Sequence, residues 1–476
     1  MKIIVALDLG TTGNRAIAFD ETGTPLCSHY QEFTQYFPHP AWVEHDPIEL
    51  WESAKRVLGA TIEEVGQHRI AAIGITNQRE TVVVWDRITG LPVHNAIVWQ
   101  CRRTADRCAE LSDKKEWIYA KTGLVLDAYF SATKIEWILN RLPQSVDRTR
   151  LKIGTIDSWI IDRLTNGHTH ATDASNASRT LLWNIHTKRF DPELLDLFNI
   201  PEAVLPEVRP SNAHYGTVAG TRIPITGVLG DQQASLFGQA GWEPGVVKNT
   251  YGTGLFAMTT CPDPNEPTPH ILTTVAWQID DTVTYAKEGS VFVGGSLIQW
   301  LRDGLGIINR SHDIEALAAE SGTADGVVVV PALVGLGAPH WDPTARGLII
   351  GLTRGTSRSN IAYAALEAIA FQTNDIIHAL SQHPAKQLRV DGGASQNNQL
   401  MQIQSNLLGI PVERPIVTET TALGAAMMAG LGAEKWSFNA LSSIRKVDRC
   451  FLPETYTGTP LTQWNDAVAR SKHWIK

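Results

Sequence analysis

Residues 221–256, TRIPITGVLGDQQASLFGQAGWEPGVVKNTYGTGLF, decide how the chain is organised. A short apolar strand over 223–228 runs straight into Gly230-Asp231-Gln232-Gln233, and a helix of small residues follows. That helix ends in Ala240-Gly241-Trp242-Glu243-Pro244-Gly245, whose glycine and proline content is that of a domain joint. Beyond the joint a second strand meets Thr250-Tyr251-Gly252-Thr253-Gly254, a tight turn dense in hydroxyl groups and glycine. A carboxylate at a strand end, a hinge and a candidate phosphate-binding turn share one short span. Two lobes are expected to hang on it, 1–240 and 241–476.

On the N-terminal side, residues 3–7 read as a buried strand, 8–13 as a turn and 15–19 as the returning strand. Asp46-Pro47 supplies a cap and a first-turn proline for a helix whose apolar positions are Leu50, Trp51, Ala54, Val57, Leu58, Ile62 and Val65. Strands over 70–75 and 81–85 flank Asn77-Gln78-Arg79-Glu80, which reads as the polar tip of a hairpin. A short strand over 96–99 opens into a charged helix around 102–111. Residues 119–199 read as mostly helical, with a turn at Asn166-Gly167 and Asp191 capping a helix over 192–198. Past the joint, the plan of strand, Gly/Thr turn and strand returns over 246–259. Helices follow over 296–305, 313–320, 360–380 and about 397–408, with strands over 327–330 and 388–390. The last strand enters Asp391-Gly392-Gly393. Such alternation predicts an α/β fold in each lobe, and the repeated hairpin predicts a duplicated lobe.

At 476 residues the chain exceeds one ordinary core. With 43% hydrophobic and 19% charged residues it is globular rather than disordered. A net charge of −8 with scattered basic residues argues against nucleic-acid binding. The five cysteines, Cys27, Cys101, Cys108, Cys261 and Cys450, show no zinc-type spacing and read as free thiols of a reducing compartment. Residues 3–7 are too short an apolar run for a signal peptide, and Pro331 interrupts the longest one, so no membrane insertion is expected. A soluble cytoplasmic protein is the expectation.

The sequence lacks the Walker, Rossmann, serine-hydrolase, zincin and protein-kinase motifs. What it has is three Gly-rich turns, at 10–13, 252–254 and 392–393. Glycine lets backbone N–H groups approach a polyphosphate, threonine adds donors, and a nearby carboxylate can hold hydrated Mg²⁺. Each turn alone is an ordinary turn; together, with one hairpin per lobe, they point to nucleotide. Asp231 reads either as a structural cap or as a general base for a hydroxyl. Arg79-Glu80 reads either as a surface ion pair of little worth or as a donor and acceptor suited to a polyol. Spacing alone makes Trp99 and Tyr129 core aromatics.

The stretches ALDLGTTGNRA, ITNQRET, AIVWQCRRTA, DAYFSATK, SNASRT, GDQQASLFGQ, KNTYGTG, EGSVFVGGSLIQWLRD, GLGAPHWDPTARG, LRVDGGASQNN and TALGAAMMAG resemble the FGGY carbohydrate kinases from residue 3 to about 432. The resemblance implies two actin/hexokinase-like (ribonuclease H-like) lobes with ATP and Mg²⁺ in the cleft. NQRET, VWQCRRT and DAYFSATK point within the family to glycerol as acceptor, phosphorylated to sn-glycerol 3-phosphate as the first step of its use. The alternatives are a family kinase for another polyol or a pentulose, and a non-catalytic actin-like nucleotide-binding protein.

By the same resemblance, Asp231 is the catalytic base, and Arg79, Glu80, Tyr129, Asp231 and Gln232 hold the acceptor hydroxyls while Trp99 and Phe256 wall its carbons. Thr11, Thr12, Gly13 and Arg15 fall on the first phosphate hairpin, and Thr253 and Gly254 on the second. Gly295, Gln299, Gly393 and Asn397 lie along the nucleotide, with Asp8 near the metal through water. Leu9 and Ala128 stand where relatives carry Gln and Pro. The 215–222 loop (YGTVAGTR) is shorter than in members regulated there and has no histidine from 217 to 222, which speaks against control by sugar bisphosphate or loop phosphorylation. A homodimer or homotetramer is left open.

Overall fold

Two mixed sheets, each centred on a glycine-turn hairpin, carry the fold in the computed structural model, which describes residues 2–243, 245–265, 271–380 and 384–475. The first sheet runs in the order Ile225–Gly230, Ile70–Asn77, Ile3–Leu9, Gly13–Phe19, Pro25–Glu32. Its first three strands are parallel to one another, and its last three are antiparallel. Ile3, Ile4, Val5, Ala6 and Leu7 are fully buried, as a continuous apolar run in a central strand requires. The helix Pro47–Val65 covers this sheet; Asp46 caps it by accepting from the Ile48 N–H at 2.8 Å.

The second sheet has the order Leu272–Ile279, Thr282–Val291, Leu255–Cys261, Val246–Tyr251, Gln387–Asp391, Val412–Pro415, Val447–Phe451. Again the first strand of a glycine-turn hairpin joins antiparallel strands on one side to parallel strands on the other, with Val447–Phe451 added antiparallel at the far edge. The repeat expected from the two hairpins is present in strand order. Across the junction, the helix Asp231–Gly238 crosses the helix Thr420–Gly432 with backbones touching: a Cβ on Gly424 would lie 1.8 Å from the Ala234 carbonyl oxygen. Thr420–Gly432 also lies on the strands Ile225–Gly230, Ile70–Asn77 and Ile3–Leu9 of the first sheet. One core, including Ile4, Leu229, Phe237, Ala422, Ala425 and Met428, is therefore built from both halves of the sequence.

Several sequence expectations change. The 70–86 stretch is not a hairpin, because Ile70–Asn77 belongs to the first sheet and Val82–Asp86 to a separate four-stranded sheet. The chain between them turns inward, so Gln78, Arg79, Glu80 and Thr81 are buried rather than at a surface tip. The 119–199 region holds the strands Leu151–Thr155, Ala171–Asp173, Trp183–Asn184 and Arg189–Phe190 among its helices. Asn166 and Gly167 are both left-handed, at φ 54° and 82°, but they close the helix Ile156–Leu164 rather than a hairpin. The strand at 96 shortens to Ala96–Ile97, and the charged helix is Ala105–Glu110. Asp191 caps Pro192–Leu197 as expected, accepting from the Glu193 and Leu194 N–H groups. Pro244 of the joint lies outside the described residues. All five cysteines are free, and no helix among the described residues is long and apolar enough to cross a membrane.

Candidate functional site

Asp231 is the first residue of its helix, delivered by the buried strand Ile225–Gly230 to the boundary between the two sheets. Its side chain keeps 33% of its surface open. One carboxylate oxygen accepts from the Gln232 N–H at 2.7 Å and faces Arg79 Nε at 3.3 Å. Enclosure by protein raises its pKa; the Arg79 charge opposes this and Glu80 reinforces it, and the net shift is upward.

Arg79 is nearly fully buried and spends its donors on several partners. Its two terminal nitrogens grip both oxygens of Glu288 at 2.5 and 2.8 Å, and also reach Gln233 Oε1 and the Tyr129 hydroxyl, each at 3.2 Å. Its Nε faces Asp231 and, at 3.5 Å, Glu80. Behind it, Arg179 donates from Nε to Glu80 at 2.7 Å and from Nη2 to Glu288 at 3.3 Å. Burial would raise the Glu288 carboxyl, but the Arg179 and Arg79 guanidiniums outweigh it and hold the pKa down at about 2. The surface-pair reading of Arg79-Glu80 is thereby removed: this is a dry network of two arginines and two glutamates, with Asp231 at its open edge.

Arg179, Glu288 and Gln233 had no expected role, although they belong to the stretches SNASRT, EGSVFVGGSLIQWLRD and GDQQASLFGQ. The available signal for Arg179 was an isolated charge in a small and apolar run, SNASRTLLW, where a solvent-facing side chain is out of place; Glu288 follows directly on Lys287 and carries no such mark.

Two of the aromatics expected beside the acceptor lie together. Tyr129 and Trp99 meet edge to face at 5.6 Å, and Lys134, fully buried, fixes the Tyr129 loop by donating to the carbonyls of Tyr129 and Phe130 at 2.5 and 2.9 Å. Phe256 pairs opposite Ser290, and Met258 pairs opposite Glu288, so Phe256 and Glu288 share one face of the second sheet. The Thr11 hydroxyl oxygen accepts from the Trp99 indole N–H at 3.0 Å, which ties the first glycine turn to this aromatic pair. Thr12, next to it, is exposed.

On the other side, a cavity of about 690 Å³ brings together Thr253, Gly295, Gln299, Gly393 and Asn397. Gly254 does not line it; a Cβ there would lie 2.4 Å from the Val291 carbonyl oxygen, so this glycine serves close packing. The second glycine turn is braced by the N–H groups of Gly294 and Gly295, which donate to the Thr253 and Gly252 carbonyls at 2.7 and 2.8 Å. Thr12, Gly13 and Arg15 lie outside the cavity on the first hairpin. Arg15 pairs with Glu419, which immediately precedes the helix Thr420–Gly432, so this contact also joins the two halves. Asp8, opposite Arg15 in the strand register, is raised to a pKa of about 7 by burial, then by Asp231 and Glu419, with Arg15 opposing.

Comparison with known proteins gives matches over nearly the whole chain. Residues 3–238 match the model of the FGGY family of carbohydrate kinases, N-terminal domain, and residues 247–433 that of its C-terminal domain. Glycerol kinase 2 of Thermotoga maritima is 52% identical over 495 residues, covering 100% of both chains. Glycerol kinase of Deinococcus radiodurans is 50% identical, covering 99% of this chain and 98% of its own. Among solved structures, Plasmodium falciparum glycerol kinase with ADP superposes at a TM-score of 0.91 with 35% identity, covering 100% of this chain and 99% of that one. Xylulose kinase of Lactobacillus acidophilus has the same fold, at a TM-score of 0.86, 21% identity and coverage of 95% and 94%.

Proposed function

This chain belongs to the FGGY family of carbohydrate kinases, and from that premise we propose that it transfers the γ-phosphoryl group of ATP to a terminal hydroxyl of glycerol, giving sn-glycerol 3-phosphate. The observation that carries the reading is the open edge of the buried network. There the acceptor Asp231 and the Gln232 amide reach the surface, with the donor Arg79 Nε and the acceptor Glu80 buried directly behind them, so acceptors and donors lie side by side. A small polyol needs that combination, since each hydroxyl both gives and takes a hydrogen bond. Trp99 would face the carbon chain with Phe256 across from it, while the Tyr129 hydroxyl, beside Arg79, would meet an acceptor hydroxyl.

In the reaction, the acceptor oxygen bonds to the γ-phosphorus, the bond to the ADP oxygen breaks, and Asp231 takes the hydroxyl proton. The raised pKa of Asp231 strengthens it as a base, and the Gln232 N–H orients it. The nucleotide would lie in the 690 Å³ cavity along Thr253, Gly295, Gln299, Gly393 and Asn397, with Thr12, Gly13 and Arg15 meeting the phosphates from the first hairpin. Asp8, Asp231 and Glu419 outnumber Arg15, and this excess of negative charge fits hydrated Mg²⁺ held through Asp8 and water. Mg²⁺ would supply charge neutralisation at the phosphates. The division into lobes 1–240 and 241–476 is supported by the two sheets, although the second lobe supplies Glu288 to the acceptor side. The five free thiols suit a reducing cytoplasm.

The test is a coupled ADP-release assay comparing glycerol, propane-1,2-diol, xylulose and ribulose by kcat/KM. Glycerol is expected to exceed the diol by at least ~10²-fold, because the diol leaves a buried polar group unpaired. A pentulose that outperformed glycerol would overturn the acceptor while leaving the family intact.

A further inference from the structure

Lys248 has no part in the scheme above, yet it is fully buried at the same boundary. It sits in the strand Val246–Tyr251, ahead of the second glycine turn, and its Nζ donates to Gln232 Oε1 at 2.6 Å. Asp391, Asp231, Glu288 and Arg79 are the charged groups around it, and burial lowers its pKa. A buried ammonium is costly unless well paired, and a neutral, half-exposed amide is a weak partner on grounds of stability alone. The contact makes more sense as a means of fixing the amide.

An ammonium carries donors and no acceptor, so only the oxygen of the Gln232 amide can face it. The NH₂ group must then point the other way, and among the described residues it has no hydrogen-bond partner. Gln233, one residue on, is a useful contrast. Its oxygen accepts from Arg79, its NH₂ donates to the Val275 carbonyl at 3.2 Å, and it is fully buried, so nothing is left for a ligand. Gln232 keeps its donor open beside Asp231, whose carboxylate is an acceptor.

We propose that Lys248 is a positioning residue for the acceptor: by holding the Gln232 carbonyl it fixes the amide so that the NH₂ group donates to an acceptor hydroxyl beside Asp231. This rests on the reading of the acceptor site given above. Because Lys248 lies in the second sheet and Gln232 in the helix that follows the edge strand Ile225–Gly230 of the first, the same contact sets the acceptor donor in register with the second glycine turn.

The experiment is a double-mutant cycle with Lys248→Met, Gln232→Ala and the double variant, measuring kcat and KM for glycerol and for ATP, with melting temperatures. Each single change should lower kcat/KM for glycerol by roughly 10- to 100-fold, mainly through KM, and leave KM for ATP within about twofold. The double variant should be hardly worse than either single one, because both remove the same oriented donor. Multiplicative losses would overturn the proposal. Gln232→Glu keeps a partner for Lys248 but has no NH₂, so it covers the case in which Lys248→Met does not fold. It should melt at or above the wild-type temperature and lose activity as Gln232→Ala does; wild-type activity in Gln232→Glu also overturns the proposal. Wild-type protein that phosphorylates a pentulose in place of glycerol overturns the acceptor reading alone, and the same cycle on the pentulose then decides the role of Lys248.

Discussion

Asp231 is pulled in two directions, toward the neutral form by enclosure and Glu80 and toward the carboxylate by Arg79. A base in that balance should show an acid limb in kcat/KM above the ordinary Asp value of 3.8, since the active form is deprotonated. Asp231→Asn should lower turnover by roughly 10² to 10⁴-fold with nucleotide affinity nearly unchanged. A limb at the ordinary carboxylate value, or near-wild-type turnover of the Asn variant, would remove Asp231 from the role of base. Glu288 acts on stability instead. Its carboxylate serves two buried guanidiniums, and Glu288→Gln should cost about 3–5 kcal/mol at pH 7. The folded pKa is depressed from 4.5 to about 2, so the stabilisation is complete above 4.5 and is lost as the pH falls toward 2. Urea unfolding should therefore show the gap between wild type and variant narrowing on acidification below about 4.5, and a gap independent of pH would refute the pairing. Asp231, Arg79 and Glu80 were legible in the sequence as polar groups at strand ends. Glu288 was not, because the Arg79 it completes is 209 residues away, and no local pattern encodes such a pairing.

Among elements, those decided locally were readable: the helix Pro47–Val65 from its cap, proline and apolar stripe, and both glycine-turn hairpins from alternating strands and turns. The 70–86 stretch misled because two strands joined by a short polar link look alike whether they pair or part; only the partners of Arg79 and Glu80 show that the link is buried. The crossing of Asp231–Gly238 and Thr420–Gly432 was also hidden, since small residues on a helix do not say which backbone they admit. Its consequence can be tested. Gly424→Ala places a methyl 1.8 Å from the Ala234 carbonyl oxygen, which is backbone and cannot rotate away. It should destabilise the fold by about 3 kcal/mol or more, as overpacking at its upper end does. Gly59→Ala is the control: it lies exposed within the helix Pro47–Val65 with nothing within 4 Å of its Cβ, and should stabilise by about 0.5–1 kcal/mol. Thermal melts that ranked the two in the opposite order would contradict the crossing.

At the scale of the whole molecule, the two halves are joined by the shared core, by Arg79 and Arg179 on Glu288, by Lys248 on Gln232 and by Arg15 on Glu419. The halves also meet beside the 215–222 loop, where Ser211 and Asn212 hydrogen-bond with Gln278 and Asp280, so whether a sugar bisphosphate acts there turns on what the loop itself offers. That loop is a tight turn: the Val218 N–H donates to the Ile223 carbonyl at 3.0 Å, Thr221 donates from both its N–H and its hydroxyl to the Val218 carbonyl, and the Ala219 N–H is spent on Leu164. Two phosphates need several converging donors, and this turn has used most of its own. Arg222 is the one cation it offers; it is exposed, and salt screens an exposed site. A net charge of −8 further disfavours so highly anionic an effector at an unbuilt site. Millimolar fructose 1,6-bisphosphate should therefore change neither the rate of glycerol phosphorylation nor the sedimentation coefficient. Inhibition together with a shift to a larger assembly would mean that two copies of the short turn, brought together, build the anion site that one copy lacks.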